Sequence, residues 1–463
     1  MLEQSIARDA LNVALSTGGD FAEIFMEDKR ANSLTLQGDK LESVTSGRTH
    51  GAGIRVYTGL TAVYTYTNDT DREGLLRCAC EAANAVREHK SASADVKPFY
   101  TPAYENHHPV RLRPDDTNAR RKAELLKAAN AAARAAGEEI AQVVCGYHDS
   151  EQDVLICNSD GLFVTDRRTY SRMAVQAVAS DGAENQTAYE APGALAGFEH
   201  FLDRVDPERL GRDVGLAAVK MLHASVCPAG VMPVAIDNGF GGVIFHEACG
   251  HSLEATSVAF GQSEFCGKLG QQIASPIVSA VDDGTLAGEW GSENVDDEGM
   301  PTARLQLIEN GILKNYMIDR LNARRMHMPP TGSGRRQSYA YAPTSRMRNT
   351  FICAGNDDND EIISSMGDGL YAAKLGGGSV NPVTGEFNFA VNEGYLVKNG
   401  KIDMPVRGAS LIGKGGEILM KIDCVGKDMR MAQGMCGSIS GNVPVNVGQP
   451  MIRVSSMTVG GRA

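Results

Sequence analysis

Along the first third of the chain the apolar positions change period several times. Residues 1–17 repeat them at helical spacing, which predicts a short amphipathic helix. From Ala22 the stretch AEIFMEDKRANSLTLQGDKLESVTSGRTHGAGIRVYTGLTAVYTYTND alternates at period two between Gly and Asn/Asp turns, the pattern of a strand meander. Thr70 and Asp71 open a helix expected to reach about Lys90, with Leu75, Leu76, Ala79, Ala82 and Ala83 on one side. Residues 97–118 hold four prolines and no periodicity, so they read as a crossing segment. An alanine-rich helix is expected over 118–138, a second meander over 140–196, and a further helix near 207–225. From Cys227 onward short strands and glycine turns dominate, around one apolar helix in GGVIFHEACGHSLEA. The pattern predicts an α+β protein: N-terminal strand meanders with helices, then a mainly β domain. The expected boundaries are 1–96, 97–227 and 228–463.

Three later segments carry incomplete signatures. GASLIGKG (408–415) has Gly415 where a phosphate loop needs Ser or Thr, and GEILMKIDCV after it reads as a strand rather than a helix. NDDNDE (356–361) lacks the central glycine of a calcium loop and is expected to cap a helix starting near Glu361. The glycines of KLGGGSV (374–380) suit a bulge or a close backbone approach. His107 and His108, adjacent in the proline-rich segment, are expected to be solvated rather than paired on a ligand.

Composition narrows the class. The chain of 463 residues is 42% hydrophobic and 22% charged, ordinary values for a globular protein with two or three domains. A net charge of −12 argues against nucleic acid or an anionic membrane surface as partner. The N-terminus lacks the basic start and apolar run of a signal peptide, and no stretch reaches the roughly 18 apolar residues that span a bilayer. A cytoplasmic location is expected, where the ten scattered cysteines behave mostly as small hydrophobes.

The chemistry concentrates at His246, Glu247 and His251, which form H-E-x-x-x-H. Zinc proteases commonly space their histidines four apart; here they are five apart. On an ideal α-helix that separation turns the side chains about 140° from each other, too far to share an ion. A π-turn reduces the offset to about 50°, and Gly250 softens the backbone where the distortion is needed. Two satisfied core histidines with a capping glutamate are the plain alternative. In the metal reading, Glu247 stands beside the first ligand, placed to take a proton from an attacking water. Glu254, one turn beyond His251, either holds the second imidazole nitrogen or faces solvent. A third ligand is needed. Cys436, among glycines in MAQGMCGSISGNVPVNVGQP, and Cys249, inside the motif, are the candidates.

These segments resemble the TldD/PmbA family of microbial metallopeptidases. The resemblance extends through DDEGMPTARLQLIENGILKNYMIDRLNAR, TGSGRRQSYAY, RMRNTFICAG, PVRGASLIGKGGEIL and the N-terminal SGRTHGAGIRVY. It implies a zinc peptidase of the TldD type, with His246, His251 and Cys436 as ligands to Zn2+ and Glu247 as catalytic base. It further implies a homodimer, or a heterodimer with a PmbA/TldE-like chain, enclosing a cavity that admits peptides or unfolded proteins. A non-catalytic peptide-binding scaffold of the same fold is the alternative, and the intact Glu247 speaks against it. Arg336 or Tyr339 of GRRQSY is a candidate oxyanion donor. The glycines 376–378 are expected to let an extended peptide pair along a nearby sheet edge.

Overall fold

The structure is a computed structural model, and residues 2–86, 95–381 and 383–461 are described. The first sheet is built from β1 (Phe21–Gln37), β2 (Lys40–Thr58), β3 (Thr61–Thr67), β4 (Ile140–Asn158), β5 (Phe163–Ser180) and β6 (Asn185–Glu190). Its order is β3-β2-β1-β4-β5-β6, with Gly193–Ala194 also pairing β5 beyond the end of β6. Both predicted meanders therefore belong to one antiparallel sheet, in which Ile24 faces both Ile54 and Cys157.

Alternation gives this sheet two unlike faces. Ile24, Ile54, Leu155, Tyr147, Met173 and Val175 point to one side. Helices α1 (Gln4–Leu15) and α2 (Arg72–Val86) cover one end of it. Helices α3 (Ala119–Arg134) and α4 (Pro207–Leu222) cover the other. All four lie where their periodicity predicts. The expected extension of α2 to Lys90 falls outside the described residues.

The opposite face carries Glu23, Glu27, Arg55 and Arg168, and meets the C-terminal half. Arg55 donates to Glu23 at 3.0 Å and to Glu298 at 2.5 Å. Arg336 donates to Glu23 at 2.8 Å, and Arg168 to Asp297 at 2.7 Å. Gly51 and Gly53 lie beneath Tyr339, where a Cβ at either position would collide with it.

The C-terminal half is mainly β, as expected. β7 (Gly230–Ile236), β8 (Gly369–Val380), β9 (Glu386–Lys398), β10 (Ser410–Lys414) and, later in the chain, Ile452–Gly460 close into a ring. β8 pairs both β7 and β9, β9 pairs β10, and Ile452–Gly460 joins β10 to β7. A second sheet ends in the hairpin β11 (Arg430–Ser438) and β12 (Gly441–Gln449), with β11 at its edge. The helix at 243–253 lies between ring and sheet. Phe245, Ala248, Cys249 and Leu253 share one apolar core with Leu370 and Phe389 on one side and Ile308 and Val447 on the other.

The incomplete signatures resolve in different ways. KLGGGSV is a bulged part of β8, with register shifts from Ala372 to Gly378. Asp358 caps the helix Asn359–Ser364, accepting from the Asp360 N–H. GEILMKIDCV is not one strand: Gly415–Met420 is helical and only Ile422–Val425 is extended. The short helix forms because Ile418 and Leu419, at adjacent helical positions, both reach the core. His108 is buried rather than solvated. Its Nδ1 accepts from the Gly288 N–H, and burial, with His107 alongside, pushes its pKa down to about 4.

Arg55 is 2% exposed and carries two carboxylates equally enclosed. Arg55→Met should lower stability by about 3–5 kcal/mol, the usual cost of stranding buried charges. Urea unfolding of both proteins measures this; a shift under about 1 kcal/mol would mean that the ion pairs do not join the halves.

Candidate metal centre

The helix at 243–253 is not uniform. Val243–Phe245 is α-helical, His246–Gly250 is a π-turn, and His251–Leu253 is a 3-10 turn that ends where Glu254 becomes extended. The wide turn occurs where the five-residue spacing requires it, and the two imidazole centroids lie 5.2 Å apart. Gly250 has ordinary helical dihedrals, φ −54° and ψ −53°, so flexibility is not its role here. Its missing side chain leaves room for Met347, whose Sδ would lie 2.2 Å from a Cβ. Gly242 is similarly constrained, because a Cβ would meet the Gly448 backbone of β12 at 2.5 Å. That close approach seats the start of the helix against the hairpin that carries Cys436.

Cys436 Sγ lies 3.4 Å from His246 Nε2 and 3.3 Å from His251 Nε2. The three donor atoms all fall within 4.8 Å of one another. A tetrahedral zinc with nitrogen and thiolate ligands has N–S separations of about 3.5 Å, so the group fits that ion. His246 is 2% exposed and Cys436 5%, so both are shielded from water. Burial alone would push the Cys436 thiol up, but the charge and N–H donors of His246 and His251 outweigh it and hold the thiol at about 3. The resting form of Cys436 is thus the thiolate that a metal requires.

The two histidines are held differently. His251 Nδ1 meets Glu254 Oε2 at 3.0 Å, and Glu254 Oε1 accepts from the Met347 N–H at 3.3 Å. Burial lowers the His251 pKa, but the Glu254 carboxylate more than reverses this and raises it well above the usual value. Glu254 is therefore buried against His251 rather than facing solvent. His246 Nδ1 has no hydrogen-bond partner among the described residues, so packing and the contact of Nε2 with Cys436 Sγ orient that ring. Glu247 Oε2 stands 3.7 Å from His251 Nε2 and is more exposed than either histidine. It faces a cavity of about 340 Å3 whose far walls are Ser379 and Val380 of β8 and Gly437 and Ser438 of β11.

Other candidates lie elsewhere. Cys249 is fully buried in the apolar core, where burial keeps its thiol pKa well above the usual value. Arg336 does not reach this cavity as an oxyanion donor would. Its guanidinium is enclosed against the first sheet, bonded to Glu23, the Asp297 carbonyl and the Tyr64 hydroxyl. Tyr339 is drawn the same way, its N–H to Glu27 and its carbonyl to Tyr64. Two residues without an assigned part in the sequence matter more. Arg346, fully buried, donates to the Cys436 carbonyl and, at 2.8 Å, to the Gly441 carbonyl. Arg335 donates to the carbonyls of Met347 and Pro444 at 2.6 and 2.8 Å. Both lie in segments that carry the family resemblance, but nothing in their spacing marks them as anchors of the hairpin.

The chain matches the PmbA/TldA metallopeptidase domain 1 over residues 22–86, the central domain over 112–222 and the C-terminal domain over 229–461. It is 33% identical to a metalloprotease TldD homolog of Haemophilus influenzae, covering 96% of this chain and 93% of that one. It is 27% identical to a zinc metalloprotease TldD homolog of Saccharolobus solfataricus, over 96% and 97% of the two chains. The crystal structure of TldE from Thermococcus kodakarensis superposes with a TM-score of 0.77 at 18% identity, covering 98% of this chain and all of that one. The chain belongs to the PmbA/TldD metallopeptidase family.

Proposed function

We propose that the protein is a zinc-dependent peptidase acting on extended, unfolded peptides, with His246, His251 and Cys436 as metal ligands and Glu247 as general base. The observation that carries the reading is the convergence of two imidazole nitrogens and one thiolate from segments 185 residues apart. Three protein ligands leave a fourth position open, the arrangement of catalytic rather than structural zinc. When bound, zinc supplies Lewis acidity, polarising a carbonyl and making water nucleophilic near neutral pH.

The chain's own groups divide the remaining work. Glu247 is not needed as a ligand and borders the cavity, so its carboxylate takes the proton of the attacking water and returns it to the leaving amine. Glu254 holds His251 with Nε2 directed at Cys436, through the bond to Nδ1. A thiolate with two neutral imidazoles leaves the set at about +1, a milder Lewis acid than with three histidines, which increases the reliance on Glu247.

A sheet edge favours extended substrates. β7 pairs β8 only over Leu370–Ala372, whereas β9 continues beside it to Val380. The other side of β8 near Ser379 and Val380 therefore has no strand partner among the described residues and borders the Glu247 cavity. Peptide backbone can pair there with little dependence on its side chains. A dimer, with an identical chain or a PmbA/TldE-like one, completes the proposal; the likeness to TldE supports it.

Glu247→Gln should keep its zinc and lose about 10²–10⁴-fold in turnover, measured by metal analysis alongside cleavage of an unstructured protein. Normal turnover in that variant would exclude the mechanism. Cys436→Ala should be purified with little zinc and Cys249→Ala with the wild-type amount; the reverse result would move the third ligand to Cys249. Glu254→Gln should weaken zinc about 10–100-fold, read by competition with a chelator, and unchanged affinity would remove Glu254 from the site's support.

A further inference from the structure

A second cavity, of about 430 Å3, opens between the two halves of the molecule. Val214, Ala217 and Met221 of α4 form one wall, with Phe240, Leu375 and Met435 opposite. Two strands run from it to the metal centre. On β8, Lys374–Gly377 line this cavity, and Ser379 and Val380 line the one at Glu247. On β11, Ala432–Met435 line it, Cys436 follows, and Gly437 and Ser438 border Glu247. The strands thus lead from one cavity to the other in the same sense. At about 3.3 Å per residue the two are separated by roughly 10 Å, two or three residues of an extended chain.

The lysine and glutamate charges around the cavity are matched in pairs, and Arg172 is held by neutral groups. Lys374 pairs with Glu190 at 2.6 Å, and Glu393 with Lys220 at 2.9 Å. Arg172 donates to the carbonyls of Ala191 and Gln433 at 3.0 and 3.3 Å, and its guanidinium lies over the Trp290 ring. A basic side chain entering here would lose hydration without gaining a free counter-charge, and an acidic one would meet Arg172, whose Nε and Nη2 are already bonded to those carbonyls, alongside the Glu190 and Glu393 carboxylates. An apolar one would bury its surface against carbon. Open space remains for it: among the described residues, a Cβ at Gly377 would meet no atom within 4 Å.

We propose that this cavity is a side-chain subsite taking one bulky apolar residue, such as Phe, Leu or Met, of an extended peptide, two or three residues from the bond that is cut. The subsite rests on the peptidase reading for its position relative to cleavage, but not for binding itself.

Fluorescent unstructured peptides, identical except for one position bearing Phe, Leu, Gly, Asp or Lys, would test it. Their binding to the zinc-loaded full-length Glu247→Gln protein is measured by anisotropy, and the bonds cut by wild type by mass spectrometry. Phe and Leu peptides should bind about tenfold tighter than Gly, Asp and Lys peptides, as filling an apolar pocket commonly gives. Wild-type cuts should fall at a constant offset of two or three residues from the apolar position. Gly377→Trp, which intrudes on the space, and Phe240→Ala, which removes a wall, should each reduce the Phe-to-Gly ratio; a ratio is insensitive to a general loss of affinity. Equal binding of Phe and Gly peptides, preference for Asp, or a ratio that both variants leave unchanged would overturn the subsite. Retained apolar preference with no cleavage by wild type would instead overturn the peptidase reading and leave the subsite standing.

Discussion

One over-wide helical turn is the constraint on which the centre depends. His246 and His251 are five residues apart, and only a π-turn brings their rings to 5.2 Å. Such a turn is uncommon, because its hydrogen bonds and packing are poorer than those of an α-helix. Here tertiary contacts on both sides hold it. Phe245, Ala248, Cys249 and Leu253 are locked into a core shared by the closed ring and the second sheet, and Gly242 allows the helix start to touch β12. A helix free in solution would have no such reason to widen.

The interface between the halves has a different physical character. The first sheet spends its apolar face on helices and presents charge to the rest of the protein. Buried ion pairs such as Arg55–Glu298 and Arg336–Glu23 add little net stability over apolar packing, yet a mismatch among them is costly. They therefore act on orientation. The tilt of the first sheet determines where β6 and α4 stand relative to β8 and β11, and hence the shape of the space between the halves.

Much of this was legible in local pattern, because each signal was local. The four long helices followed from periodicity, the meanders from alternation, and the π-turn from the five-residue spacing combined with a need for convergence. Glu254 could be named but not oriented, since its burial depends on Met347, distant in sequence. Gly250 was read as a soft joint when its real neighbour is a side chain. The surroundings of Arg336 and Tyr339 were hidden for a similar reason: their partners Glu23, Glu27 and Tyr64 lie about 300 residues earlier. The Gly415–Met420 helix escaped notice because six residues are too short for a period to emerge.

The hairpin bearing Cys436 is fastened by groups other than the histidines. Arg346 holds its turn and the Cys436 carbonyl, and Arg335 holds the strand opposite. Ordering a loop around an ion would subtract from the affinity. Here the arginine contacts would meet that entropy during folding, leaving ligand-bond energy for the capture of an ion. Under the zinc reading, the shape of the hairpin would rest on these two arginines as well as on the ion.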